Sequence, residues 1–186
     1  KRDPQFDYSK PVDGSDPATD WQGLHTVDES ITILNPPTDW IQNCNSTPFT
    51  AAGEFSPKEA DYPFYMAPDR ENFRGIHAVD VLSKAENLDL DSFIELAYDP
   101  VIPAFQRLIP PLVKAMEKYG NSTDLQAATE VLKDWDYKTS KESEAMTLAH
   151  FYGINYQRQF RDLNDLVENE VLESHSQADV QKQMVR

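Results

Sequence analysis

Hydrophobic positions along the chain change period once, near Asp69. Before that point they come in short β-branched runs, Thr26-Val27 and Ile31-Thr32-Ile33, bounded by acidic turn residues. Such runs predict brief strands, placed around Trp21–Leu24, Thr32–Leu34 and from Trp40 onward. Between residues 50 and 68, Pro57, Pro63 and Pro68 interrupt a set of aromatics, Phe55, Tyr62, Phe64 and Tyr65. Repeated proline forbids a regular helix or a central strand, so these rings must be held by packing onto another surface.

From Asp69 the period is about 3.6 residues, the signature of helices packed on one face. Phe73, Ile76, Val79 and Leu82 form the first stripe. Asp89 is placed to cap a second helix from Leu90 to about Tyr98, with Leu88 and Phe93 spaced as a hydrophobic staple. Residues 101–119 read as helical, with a break expected near Leu108-Ile109 because Pro110 and Pro111 follow, and with Gly120 as the C′ residue. Thr123 with Gln126 predicts the start of a helix through Trp135, and Thr139 or Ser140 with Glu142 the start of a long one through about Tyr156. The packing face of the last is Met146, Ala149, His150, Gly153 and Tyr156, with His150 expected inside or at the boundary. Residues 160–186 continue more polar, with Leu163, Leu166, Val167 and Val171 as the remaining stripe. The expected organisation is a β-rich segment over 1–50, a proline and aromatic loop over 51–68 and a helical domain over 69–186, mainly α in class.

At 186 residues the chain is long enough for one sizeable core. Its formal net charge of −15 argues against nucleic acid or an anionic membrane as partner, since both favour positive charge. No run of 18 apolar residues occurs, and no CxxC, HExxH, Walker or GxGxxG pattern, so neither a cofactor nor a metal is expected. Asp61, Asp69 and Glu71 lack the spacing of a calcium loop. His25 reads as a solvated or hydrogen-bonded loop histidine.

The chemistry concentrates in residues 34–49, which hold three asparagines, the single cysteine, a tryptophan and three prolines. On a strand, Asn43 and Asn45 share one face and Cys44 points to the other. Side-chain amides donate hydrogen bonds without charge or titration, which suits stabilisation of a developing oxyanion. Equally, both asparagines would serve as turn residues that bond the neighbouring backbone. Cys44 is internal, without a free amine or a paired histidine base, and reads as a packed thiol. The sequons at Asn45 and Asn121 coincide with this motif and with a helix start, which explains both without glycosylation.

Asn35-Pro36 followed by Trp40-Ile41-Gln42-Asn43-Cys44-Asn45-Ser46-Thr47-Pro48 resembles the motif of the penicillin acylase family, which includes acyl-homoserine-lactone acylases. Pro11–Gly14 with Asp20–Leu24 is similar to the strand pair that leads into that motif, and Arg74 stands where the family opens an arginine-bearing helix. The likeness runs from about Phe6 to Tyr152. It implies an N-terminal nucleophile amidohydrolase whose αββα core would include the β-rich segment, with Asn45 as the oxyanion-hole amide and Arg74 in support. Asp39 departs from the family's usual glycine, and Cys44 from its frequent aromatic residue.

In that family the catalytic chain opens with Ser, Thr or Cys, whose α-amino group is the general base. Lys1 is none of these, so the chain reads as a fragment of a periplasmic or secreted acylase, inactive alone. Its expected partners are the remaining acylase segments and a small-molecule acyl amide: a β-lactam side chain, an N-acyl homoserine lactone or an acylated peptide. The alternative is an acidic helical protein-interaction module without catalytic role.

Overall fold

The computed structural model describes residues 1–159. The stripe from Leu163 to Val171 lies outside the described residues. Five α-helices follow a long irregular segment: α1 Phe73–Ser83, α2 Leu90–Ala97, α3 Pro103–Tyr119, α4 Thr123–Lys133 and α5 Glu144–Gln159. The mainly helical expectation holds.

The β-rich expectation for residues 1–50 does not. No strand forms among the described residues, where the only bridge outside helices is an isolated antiparallel pair, Val101 with Lys138. Single 3₁₀ turns at Pro17–Thr19, Val27–Glu29 and Pro48–Thr50 alternate with extended backbone. The αββα core is therefore not seen. The physical reason is that β-branched runs specify faces, whereas a strand needs a neighbour to complete its ladder. Trp21, Leu24 and Leu34 accordingly stay 70–81% exposed. Local side-chain acceptors hold the segment instead: Asp3, Asp7, Asp13 and Asp16 each accept the backbone N–H two residues on.

In the helical part, α3 packs on α1 and α4, and α4 on α5. The core joins Leu108, Ile109, Leu112 and Met116 of α3 with Leu125 and Leu132 of α4 and Ala149, Tyr152 and Tyr156 of α5. The break expected at Leu108-Ile109 is absent, and α3 runs through Pro110 and Pro111. Each proline costs about 3 kcal/mol in a helix interior. Burial of Leu108, Ile109, Leu112 and Val113 on either side contributes roughly 1.5–3 kcal/mol apiece, enough to keep the helix whole.

Gly120 ends α3 with φ −69° rather than in the left-handed conformation, its N–H donating to Met116 O at 2.7 Å. A Cβ there would collide with that carbonyl, so close approach accounts for the glycine.

The caps shift by a residue or more. Ser122 caps α4 and Ser143 caps α5, in place of Thr123 and of Thr139 or Ser140. Asp89 caps α2 as expected, in a reciprocal pair with Ser92. Leu88 and Phe93 both remain exposed, so a staple between them buries little. His150 is also exposed, not interior. It falls one residue past Ala149, which takes the core position.

Candidate functional site

The motif segment forms a loop seated on the start of α1, in place of the expected strand. Three of its Asn and Asp residues adopt left-handed backbone: Asn35 at φ 46°, Asp39 at 58° and Asn45 at 55°. These residue types tolerate that region because a short polar side chain can bond locally. At position 39 the angle explains why glycine also fits there.

Asn43 and Asn45 do not present two amides on one face. Asn43 Oδ1 accepts the Asn45 N–H at 2.9 Å and closes the turn. Asn45 itself is exposed, and its Oδ1 accepts from Arg74 Nη2 at 3.2 Å. A guanidinium has only donors, so it must face the amide oxygen. Among the described residues, that leaves the Asn45 NH2 uncommitted. The structure thus brings Asn45 and Arg74 together across the junction between loop and helix.

Sequence reasoning missed Asn72. It is the N-cap of α1, where its Oδ1 accepts the Gly75 N–H at 3.0 Å. Its Nδ2 donates to Cys44 O and to Asn45 O, both at 3.1 Å. Gly75 was missed as well. A Cβ at this residue would stand 2.6 Å from Ser46 Oγ and 3.0 Å from Ser46 Cβ, so only glycine lets the loop sit this close to the helix. The available signal was an asparagine three residues before a glycine at a helix start. Glu71 adds a further tie, accepting from Thr50 Oγ1 and from the Asn72 N–H.

On the Thr50 and Glu71 side lies a cleft of about 430 Å³ whose walls include Thr47, Phe49, Phe64 and Arg70 but not Asn45, Asn72 or Arg74. The aromatics of the 51–68 loop are only partly held: Tyr62 stacks on Phe49 with centroids 6.1 Å apart, whereas Phe55 and Phe64 stay exposed. Gln42 is 7% exposed, with neither side-chain amide atom hydrogen-bonded among the described residues. Cys44 is a half-buried free thiol. His25 is hydrogen-bonded, its Nε2 2.9 Å from the Tyr65 hydroxyl. No group of three or more His, Cys, Asp or Glu is arranged to hold a metal ion among the described residues, and no helix there is long and apolar enough to cross a membrane.

The motif and its helix are not an isolated likeness. The sequence model of the family described as penicillin amidase matches residues 1–185, and the chain belongs to the penicillin amidase family.

Proposed function

We propose that this chain supplies the oxyanion-binding part of an acylase that hydrolyses an acyl amide, with Asn45 as the donor. The observation that carries this reading is the Arg74 contact to Asn45 Oδ1 at 3.2 Å on an exposed residue. A cation on the amide oxygen polarises the group and strengthens its N–H donors. Those donors then stand ready for an oxygen that gains charge during attack. Arg74 acts on the amide rather than on the substrate, and its planar fork fixes the amide's orientation.

In the full reaction an N-terminal Ser, Thr or Cys from another acylase segment attacks the carbonyl carbon, with its own α-amino group taking the proton. The carbonyl oxygen becomes the oxyanion that Asn45 binds, and collapse breaks the C–N bond as the leaving amine takes up the proton held by the α-amino group. Water then releases the acyl group. The substrate class is a β-lactam side chain, an N-acyl homoserine lactone or an acylated peptide, and by the resemblance the enzyme is periplasmic or secreted.

Exposed Leu90, Phe93 and Ile94 on α2 favour a second reading, an acidic helical interaction module. That reading leaves the Arg74–Asn45 pair without a role.

The test is Asn45→Ala in the assembled acylase. Loss of one oxyanion donor lowers kcat by about 10²–10³-fold. Arg74→Lys gives a smaller loss, because a point charge holds the amide less firmly than a fork. Full kcat in Asn45→Ala contradicts the assignment.

A further inference from the structure

We infer that Asn72 is a positioning residue for the oxyanion donor, a role that rests on the reading of Asn45 given above. Its carboxamide is divided between two tasks. The oxygen caps α1 through the Gly75 N–H, and the NH2 holds the carbonyls of Cys44 and Asn45. The division is fixed by chemistry, since only the NH2 can donate to carbonyls and only the oxygen can accept from an N–H.

Asn45 is therefore gripped at three points. Asn43 Oδ1 holds its N–H, Asn72 Nδ2 holds its carbonyl and Arg74 holds its side-chain oxygen. Two of the three come from residues 72 and 74, at the start of α1, so backbone and side chain are referenced to one rigid element. Gly75 allows Ser46 the approach that this geometry needs. The Asn45 backbone is left-handed at φ 55°, a conformation that local bonds must maintain. Releasing its carbonyl lets the turn relax and moves the NH2 that the grip leaves uncommitted. A displacement of about 1 Å at a reacting group costs on the order of 10²-fold in rate.

The two tasks separate by substitution. Asn72→Asp keeps an acceptor for the Gly75 N–H and places a carboxylate against two carbonyls. Asn72→Ser keeps a good cap with a hydroxyl in place of the two-donor amide. The measurement is kcat and KM per folded active site in the assembled acylase, with thermal unfolding alongside. Both variants are expected to lose about 10–10²-fold in kcat, as expected for a donor displaced but present. KM and Tm stay near those of the parent enzyme.

Combined with Asn45→Ala, Asn72→Asp adds less than about 3-fold, because the group it positions is already gone and the two effects share one path. Parental kcat per folded site in both single variants overturns the inference, as does a loss that multiplies in full on the Asn45→Ala background. Parental kcat in Asn45→Ala overturns the oxyanion reading and this inference with it. A crippled Asn45→Ala beside fully active Asn72 variants overturns this inference alone.

Discussion

Residues 1–68 and 73–159 are stabilised by different means. The helical part owns its core: Leu112, Leu132 and Ala149 are fully buried, and their neighbours come from α3, α4 and α5. The first part has no core of that kind. It is held by side-chain acceptors two residues from their donors, by 3₁₀ turns and by aromatic contacts such as Tyr8 with Tyr65, while Trp21, Leu24 and Leu34 face outward. Between them sits the asparagine loop, which belongs by sequence to the first part and by hydrogen bonding to the second. The difference teaches that the candidate site is anchored by the helical element. The loop brings Asn45, and α1 brings Asn72, Arg74 and Gly75, which fix where it points.

Substitutions sharpen the contrast. Leu112→Ala removes a fully buried side chain where packing is densest, and urea denaturation should record a loss of about 2–5 kcal/mol. Gly75→Ala sets two effects against each other. Overpacking against Ser46 costs about 1–3 kcal/mol, and alanine recovers roughly 1 kcal/mol of helix propensity. The expected result is modest destabilisation with a local signature: amide exchange quickens at residues 44–46 and stays slow in α4 and α5. Exchange that quickens equally everywhere would dissolve the distinction between the parts.

Ser122→Ala removes the cap of α4 and is expected to cost about 1 kcal/mol. Asp89 gives a pH effect. Hydrogen bonds from the side chain and then the backbone of Ser92 hold its carboxyl below the ordinary value. A carboxylate with a depressed folded pKa contributes above its unfolded value and loses that contribution as pH falls through the folded one. α2 should therefore fray in acid before the core helices do, visible as early loss of Ser92 amide protection. The smallest effect belongs to Leu34→Ala, which at 81% exposure should change stability by no more than about 0.5 kcal/mol.

What was legible in the sequence follows the same division. The 3.6 period located α1, α3, α4 and α5 because each packs apolar side chains on a neighbour, whereas α2, which buries none, was readable from its Asp89 cap, whose bonds are local. The Ser122 cap was misread by one residue, since Ser122 and Thr123 are adjacent and either side chain can cap. The proline break in α3 was misread because local propensity lost to the burial of the four apolar residues around it. Strands were misread in residues 1–50 because alternation carries no information about a pairing partner. At the site, the motif pointed to Asn45 and Arg74, whereas Asn72 and Gly75 carry no periodic signal. Their roles depend on a loop 27–29 residues away in the chain, a contact that only the folded arrangement supplies.

The central claim is that the Asn45 amide binds charge that exists only during reaction. The direct test is the affinity of an alkylboronic acid for the assembled acylase, since its tetrahedral adduct with the nucleophile carries an oxygen where the oxyanion forms. Product carboxylic acid serves as the ground-state control. Asn45→Ala should weaken the boronate by about 10²-fold or more, matching its loss in kcat/KM, and leave the acid's affinity nearly unchanged. Equal weakening of both ligands, or of neither, would contradict the account.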